Sequence, residues 1–336
     1  MLRLLTLLLT CSALLIAAPS AGQEQWIGDT KEQVQSKLSV KRQTSVGNRL
    51  VSLAQHMLGR PYRAFSLDAG STEQLRFDLT TFDCVLLVEQ LLALVHSKTT
   101  MDFTRLVKQL RYEDETVDYC HRNHYFSRWA INAERLGLIK DISQSLPGST
   151  TRNRKLSFMS SHPDSYAPMK QQSARQCIKS LEQNLTVNQT YVPIASLPNA
   201  ARHLKSGDIF ALVTSVDGLD VTHTGILERT ANGLNAIHAV PDSGVVRSVD
   251  FVRYAAKVED IIGVSFFRPS SAPTINKNEA NTPNPSSQRP NPSPQRSNTS
   301  PPTPSSNPSN TSATPAAIAG FPSSRRSPSG VTIQAT

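Results

Sequence analysis

Apolar residues fall into two rhythms along this chain, and the change from one to the other divides it. In "NRLVSLAQHMLGRPY" (48–62) they recur at Leu50, Leu53, Ala54, Met57 and Leu58. That spacing marks one face of a helix, and Gly59 and Pro61 supply its stop. A polar loop from Arg63 to Thr81 leads into "FDCVLLVEQLLALVH". There an apolar helix runs from Cys84 to about His96, with Thr80, Thr81 or Asp83 placed to cap it. From 97 to about 205 the pattern is mostly helical, through Phe103, Leu106, Val107 and Leu110, then "NHYFSRWAINAERLGL" and a weaker "KQQSARQCIKSLEQNL". Beyond Gly207 the rhythm becomes that of strands: "DIFALVTSV", "VTHTGILE", "LNAIHAV", "VVRSVDFV" and "IIGVSFF". Turn residues separate them in "DGLD", "RTANG" and "PDSG". Helices first and antiparallel strands second predict an α+β domain over residues 23–269.

The two ends read differently. Residues 1–22 begin with Met-Leu-Arg and continue through a short apolar stretch to small residues, the pattern of a secretory signal peptide. The expected protein is therefore exported, to the periplasm or the medium. No later stretch approaches the ~20 apolar residues of a spanning helix, so a membrane-spanning role is not expected. Residues 270–336 are Pro, Ser, Asn and Thr with few large apolar side chains, too little to offset chain entropy, and predict a disordered tail. The net charge of +9 is spread thinly, with no basic helix or aromatic–basic ladder, so nucleic acid is not an expected partner.

Cys84 stands where the polar loop meets the apolar helix. Unsatisfied backbone N–H groups and the dipole at a helix start favour a thiolate. The same groups can receive the oxyanion formed when a carbonyl is attacked. After a signal peptide is removed three cysteines remain, so at least one is free. Cys120 and Cys177 can pair and leave Cys84 free, although spacing alone does not establish that. A thiol nucleophile needs a histidine. Six of the eight histidines fall in helices or loops, whereas His223 and His238 fall inside apolar strands. The midpoint between them lies in the turn Glu228–Gly233, so a hairpin about that turn sets them face to face on one side of the sheet. One can then act as base while the other fixes its tautomer. The cluster Cys120-His121-x-x-His124 matches no common zinc spacing, and no metal or other cofactor is expected.

"LGRPY", "FDC" on a helix, "LKSGDIFAL", "THTGIL" and "IHAV", in that order, resemble the NlpC-type papain-like cysteine peptidases of bacterial cell walls. The resemblance covers about 50–95 and 203–267. It implies a papain-like fold, with N-terminal helices, a nucleophile helix packed on an antiparallel sheet and a large helical insertion at 97–205. It also implies Cys84 as nucleophile, His223 as base, His238 as the orienting residue and Tyr62 as a substrate-binding residue that lines the site near the nucleophile. The backbone N–H groups of Asp83 and Cys84 become the oxyanion donors; the Asp83 side chain reads as a helix cap. The chain departs from that group where "RAFSLDAG" follows the tyrosine and Val-Leu follows the cysteine. These features, with "VDYCHRNHYFSRWA" and "LSFMSSH", resemble the N-acetylmuramoyl-L-alanine amidase-like branch.

The expected substrate is thus a peptidoglycan fragment (a muropeptide), cut at the N-acetylmuramoyl–L-alanine amide through an acyl-enzyme. The rivals are a γ-D-glutamyl–diamino acid endopeptidase on the same scaffold and a non-catalytic wall-binding module. In the insertion, Tyr125 and Trp129 offer apolar faces, and Asn123, Ser161 and His162 offer hydrogen bonds. That mixture suits a small-ligand pocket.

Overall fold

The computed structural model describes residues 22–38, 45–70 and 72–271. The predicted signal peptide and tail lie outside the described residues except at their inner ends. The chain enters through β1 (Glu24–Trp26), α1 (Thr30–Leu38) and α2 (Val46–Gln55). β1 pairs in parallel with β2 (Leu75–Phe77), and the Trp26 and Phe77 rings lie 4.5 Å apart.

The apolar helix α3 (Cys84–His96) is buried at twelve of its thirteen residues. A helix apolar on all sides belongs between layers, and α3 packs against α2, α4 (Thr100–Arg111) and the main sheet. Each fully buried leucine or valine along it contributes about 1.5–3 kcal/mol. The two polar residues in that run are satisfied: Glu89 accepts from Arg111, and Gln90 bonds the Asp78 backbone.

The segment 97–205 contains α5 (Phe126–Arg135), α6 (Phe158–Ser161), α7 (Gln172–Gln183) and α8 (Leu197–Ala200). Helical turns predominate as expected, yet three strands also arise there: β3 (Ile139–Asp141), β4 (Thr150–Lys155) and β5 (Thr186–Pro193). They extend the main sheet, so this segment is built into it rather than appended. β4, with the sequence TTRNRK, carries no apolar alternation and could not be read as a strand. Its pairing comes from β5, and its Arg152 and Arg154 bond carbonyls of Thr214 and Leu219.

The remaining elements are β6 (Ile209–Thr214), β7 (Val221–Thr230), β8 (Gly233–Val240), β9 (Gly244–Ser248), α9 (Phe251–Lys257) and β10 (Ile261–Pro269). The sheet order is β4-β5-β10-β6-β7-β8-β9, with β3 also paired to β10. Alternation along β6 sends Ile209 and Ala211 toward α3, and Phe210 and Leu212 to the opposite face with Phe251 and Phe266. Both faces are covered, which explains the unbroken apolar runs. The expected strand over 245–252 ends at Ser248 instead. Asp250 adopts a left-handed φ of 60° and caps α9 through Arg253 N–H, so Phe251 and Val252 become helical.

Candidate active site

The loop before Cys84 is held from three sides. Asp78 Oδ1 accepts from the N–H groups of Thr80 and Thr81. Gln90 reaches back from α3 to bond both the N–H and the C=O of Asp78, each at 2.8 Å. Thr30 accepts from Leu79 N–H. Asp83 then caps α3 by accepting from Leu86 N–H at 2.8 Å. "LGRPY" lies alongside: Tyr62 bridges Phe82, Arg63 N–H donates to the Phe82 carbonyl, and Phe82 N–H donates to that of Pro61. Two of the sequence motifs are thus neighbours in space.

Cys84 is the free cysteine among the described residues; Cys120 and Cys177 form a disulfide with a Cα separation of 5.8 Å. The Cys120 sulfur is therefore not a thiolate ligand. The Cys84 sulfur is approached by the backbone N–H groups of Thr224, Cys84 and Val85. The helix-start donors among them, Cys84 and Val85, were expected to favour a thiolate. Burial outweighs them, and with the nearby Asp83 charge it pushes the thiol up to about 12. Burial also raises Asp83 to about 6. The Tyr62 phenol stays firmly protonated through burial and its proximity to Cys84 and Asp83.

The histidines meet, but not by the expected register. Thr230 pairs with Gly233 and Ile226 with Ile237, so the hairpin turns about Ala231 and Asn232. Continuing that register sets Gly225 opposite His238, with His223 two residues away on the same face. A shift of two keeps side chains on their face, where a shift of one would reverse them. The pairing of β7 with β8 ends at Ile226, and beyond it the Thr224 N–H turns to the Cys84 sulfur. His238 crosses the bare Gly225, where an added Cβ would fall 2.7 Å from the His238 Cβ. Nε2 of His223 thereby comes 2.7 Å from Nδ1 of His238, and Nε2 of His238 lies 2.7 Å from Ser248 Oγ. Burial lowers His223 well below its ordinary value, with His238 adding to the effect; burial lowers His238 to about 4. Both rings are neutral at pH 7.

Beside the start of α3 opens a cleft of about 550 Å³ including its mouth. Asp83, Val85, Leu86 and Glu89 form its α3 wall, and Asn123 and Trp129 line it, as do Phe65, Met159 and Tyr166. Arg111 and Arg122 also reach it, each held by carboxylates: Glu89 for the first, Asp68 and Glu73 for the second. Four residues expected to bind substrate, Tyr62, Tyr125, Ser161 and His162, do not line this cleft, and neither do Cys84, His223 or His238. Tyr125 is fully buried, its hydroxyl donating to Glu182. Ser161 and His162 bond back to the carbonyls of Ser157 and Phe158. Asn123 Nδ2 donates to the Leu110 carbonyl at 2.9 Å.

A family model described as AmiA-like, N-acetylmuramoyl-L-alanine amidase-like, matches residues 52–263. The chain belongs to this family. Among solved structures the AmiA-like chain is similar to an N-acetylmuramoyl-L-alanine amidase from Bacteroides uniformis, at 30% identity and a TM-score of 0.63. That match covers 67% of this chain and 99% of the other. A protein from Bacteroides fragilis named a putative xylanase matches at 30% identity and TM-score 0.60, over 65% of this chain and 99% of that one. A Legionella pneumophila protein shares the fold at 20% identity and TM-score 0.60, covering 71% and 94% of the two chains. No curated protein matches.

Three groups at the candidate site were not found from the sequence. Gln90 is a single amide in an apolar helix run, which is a signal that was available. Ser248 and Tyr254 sit in what read as a strand and its continuation. Nothing in their spacing pointed to His238.

Proposed function

We propose that the protein is an NlpC-type, papain-like cysteine amidase that hydrolyses the N-acetylmuramoyl–L-alanine bond of muropeptides. One observation carries the reading: the single free thiol of the described chain sits at the first turn of α3, touched by the N–H of the residue next to His223, whose ring is bonded to His238. Peptidoglycan amidase chemistry agrees with the family, and an exported protein would meet that substrate.

In this reading His223 uses Nδ1 toward the thiol, because its Nε2 is committed to His238. Thiol and imidazole are both neutral at rest, so the proton moves from sulfur to His223 as sulfur attacks the amide carbonyl. The oxyanion is received by backbone N–H groups at Asp83 and Cys84. Imidazolium returns the proton to the leaving amine, the C–N bond breaks and a thioester remains. Water, deprotonated by His223, then releases the acid and restores the thiol.

A glycosidase, the activity named for the Bacteroides fragilis protein, needs two carboxyl groups flanking the scissile bond. Here Glu89 is clamped by Arg111 and Asp83 caps α3. The γ-D-glutamyl endopeptidase rival is separated by mass. Digestion of a defined N-acetylmuramoyl-peptide should yield free sugar acid and an intact peptide beginning with L-Ala. A sugar-dipeptide product would instead assign the γ-D-glutamyl bond.

A further inference from the structure

His238 is flanked on two sides by hydroxyls that the proposed triad does not include. Ser248 Oγ lies 2.7 Å from Nε2, and Tyr254 Oη lies 3.5 Å from Nδ1 at the outer limit of a hydrogen bond. The Tyr254 ring is 4.7 Å from the His238 ring, between centroids. One chain corner delivers both groups. β9 ends at Ser248, and Asp250 turns at a φ of 60° to start α9, which brings Tyr254 back over the histidine. A non-glycine residue in that region carries a cost of order 1–3 kcal/mol, and such positions cluster at functional sites.

A neutral imidazole has one N–H and one lone pair. One proton therefore lies between His223 Nε2 and His238 Nδ1, and two arrangements are open. If it belongs to His223, that ring keeps a lone pair on Nδ1 and can take the thiol proton. His238 then accepts on Nδ1 and carries its own proton on Nε2, facing Ser248. If it belongs to His238, the single N–H proton of His223 sits on Nδ1 and that nitrogen cannot take the thiol proton. The choice between these decides whether the site works.

We propose that Ser248 and Tyr254 are positioning residues that hold this proton in the first arrangement. This rests on the cysteine amidase reading and deepens it. The Tyr254 phenol is kept protonated by burial and by Cys84 nearby, so its O–H can add a second, longer donor contact to the Nδ1 lone pair that accepts from His223 Nε2. A donor there keeps the lone pair on Nδ1 and the proton on Nε2. Ser248 Oγ then accepts that Nε2 proton. Both hydroxyls complement one tautomer of His238, and through it one tautomer of His223.

Nitrogen NMR of the full, histidine-labelled chain at pH 7 reads the proton directly. In the wild-type protein both rings should be protonated on Nε2 and bare on Nδ1. Tyr254→Phe and Ser248→Ala should each give mixed tautomers, with kcat on a muropeptide lowered about 10-fold and KM nearly unchanged. Ser248→Thr should restore both the spectrum and kcat. Wild-type His238 protonated on Nδ1 would overturn the proposal. So would Ser248→Ala and Tyr254→Phe proteins that keep the wild-type spectrum and kcat. Should one variant fail to fold, the wild-type spectrum and the other variant still decide. The spectra need no turnover, so they are read independently of whether Cys84 is the nucleophile.

Discussion

Nε2 of His223 and Nδ1 of His238 lie 2.7 Å apart although the two residues are not cross-strand partners. The contact is diagonal and passes over Gly225. It ties the reactivity expected of Cys84 to the register of one hairpin.

Cys84→Ala should remove hydrolysis, by at least about 10³-fold, because a nucleophile removed from a triad leaves only binding and oxyanion donors. The loss of one sulfur from a first helical turn should leave the fold intact by circular dichroism. A folded variant with wild-type turnover would refute the cysteine reading.

Gln90→Leu keeps the apolar run of α3 but strips Asp78 of both backbone partners. Asp78 is buried, so the unsatisfied N–H and C=O should cost about 2–4 kcal/mol in total. The loop that presents Cys84 should loosen with it, and kcat should fall together with Tm. Unchanged thermal melting would show that the clamp carries no stability.

The histidine pair gives stability a pH dependence of known sign. His238 falls from an ordinary 6.5 to about 4 in the fold. The unfolded chain therefore binds the proton first, and this contribution, complete above pH 6.5, is lost as pH falls toward 4. Its full size is about 3 kcal/mol. Asp83 acts oppositely over an overlapping range, since its folded value of about 6 lies above the ordinary 3.8. The comparison must then be between proteins: His238→Gln should lose less stability than wild type between pH 7 and pH 4.5 in urea titrations. Parallel curves would show that His238 does not titrate this way.

The Cys120–Cys177 bond closes a sequence separation of 57 residues. Constraining a loop of that length in the unfolded chain stabilises by up to about 4 kcal/mol. Replacing both cysteines by alanine should lower the denaturant midpoint accordingly, and a reductant should do the same to wild type while leaving the double variant unmoved. An insensitive wild type would mean that the bond constrains little.

Much of this was legible beforehand because it is local. The cap at Asp83, the apolar α3 and the strand histidines follow from patterns within a few residues. β4 was hidden because its pairing is supplied by β5 and its arginines satisfy distant carbonyls. The helix at Phe251 was hidden because Asp250 takes a left-handed turn that no neighbouring residue announces. Tyr125 read as a pocket wall, yet its hydroxyl is tied to Glu182, a partner 57 positions away that no local pattern indicates. The thiolate expected at Cys84 followed from helix geometry alone, and the burial that opposes it is a property of the whole packed layer.

Gly225 has a consequence for which sequences this site can accept. An added Cβ there would press on the His238 Cβ, the Phe210 ring and the Ile237 carbonyl, at 2.7, 2.7 and 2.8 Å. None of these is the far end of a flexible side chain, so alanine already displaces His238 from His223. If every codon were offered at position 225 and survivors chosen by turnover, glycine alone should return, while the positions on either side accept several residues. The space left by a missing methyl group is then as much a part of the site as the rings that meet across it.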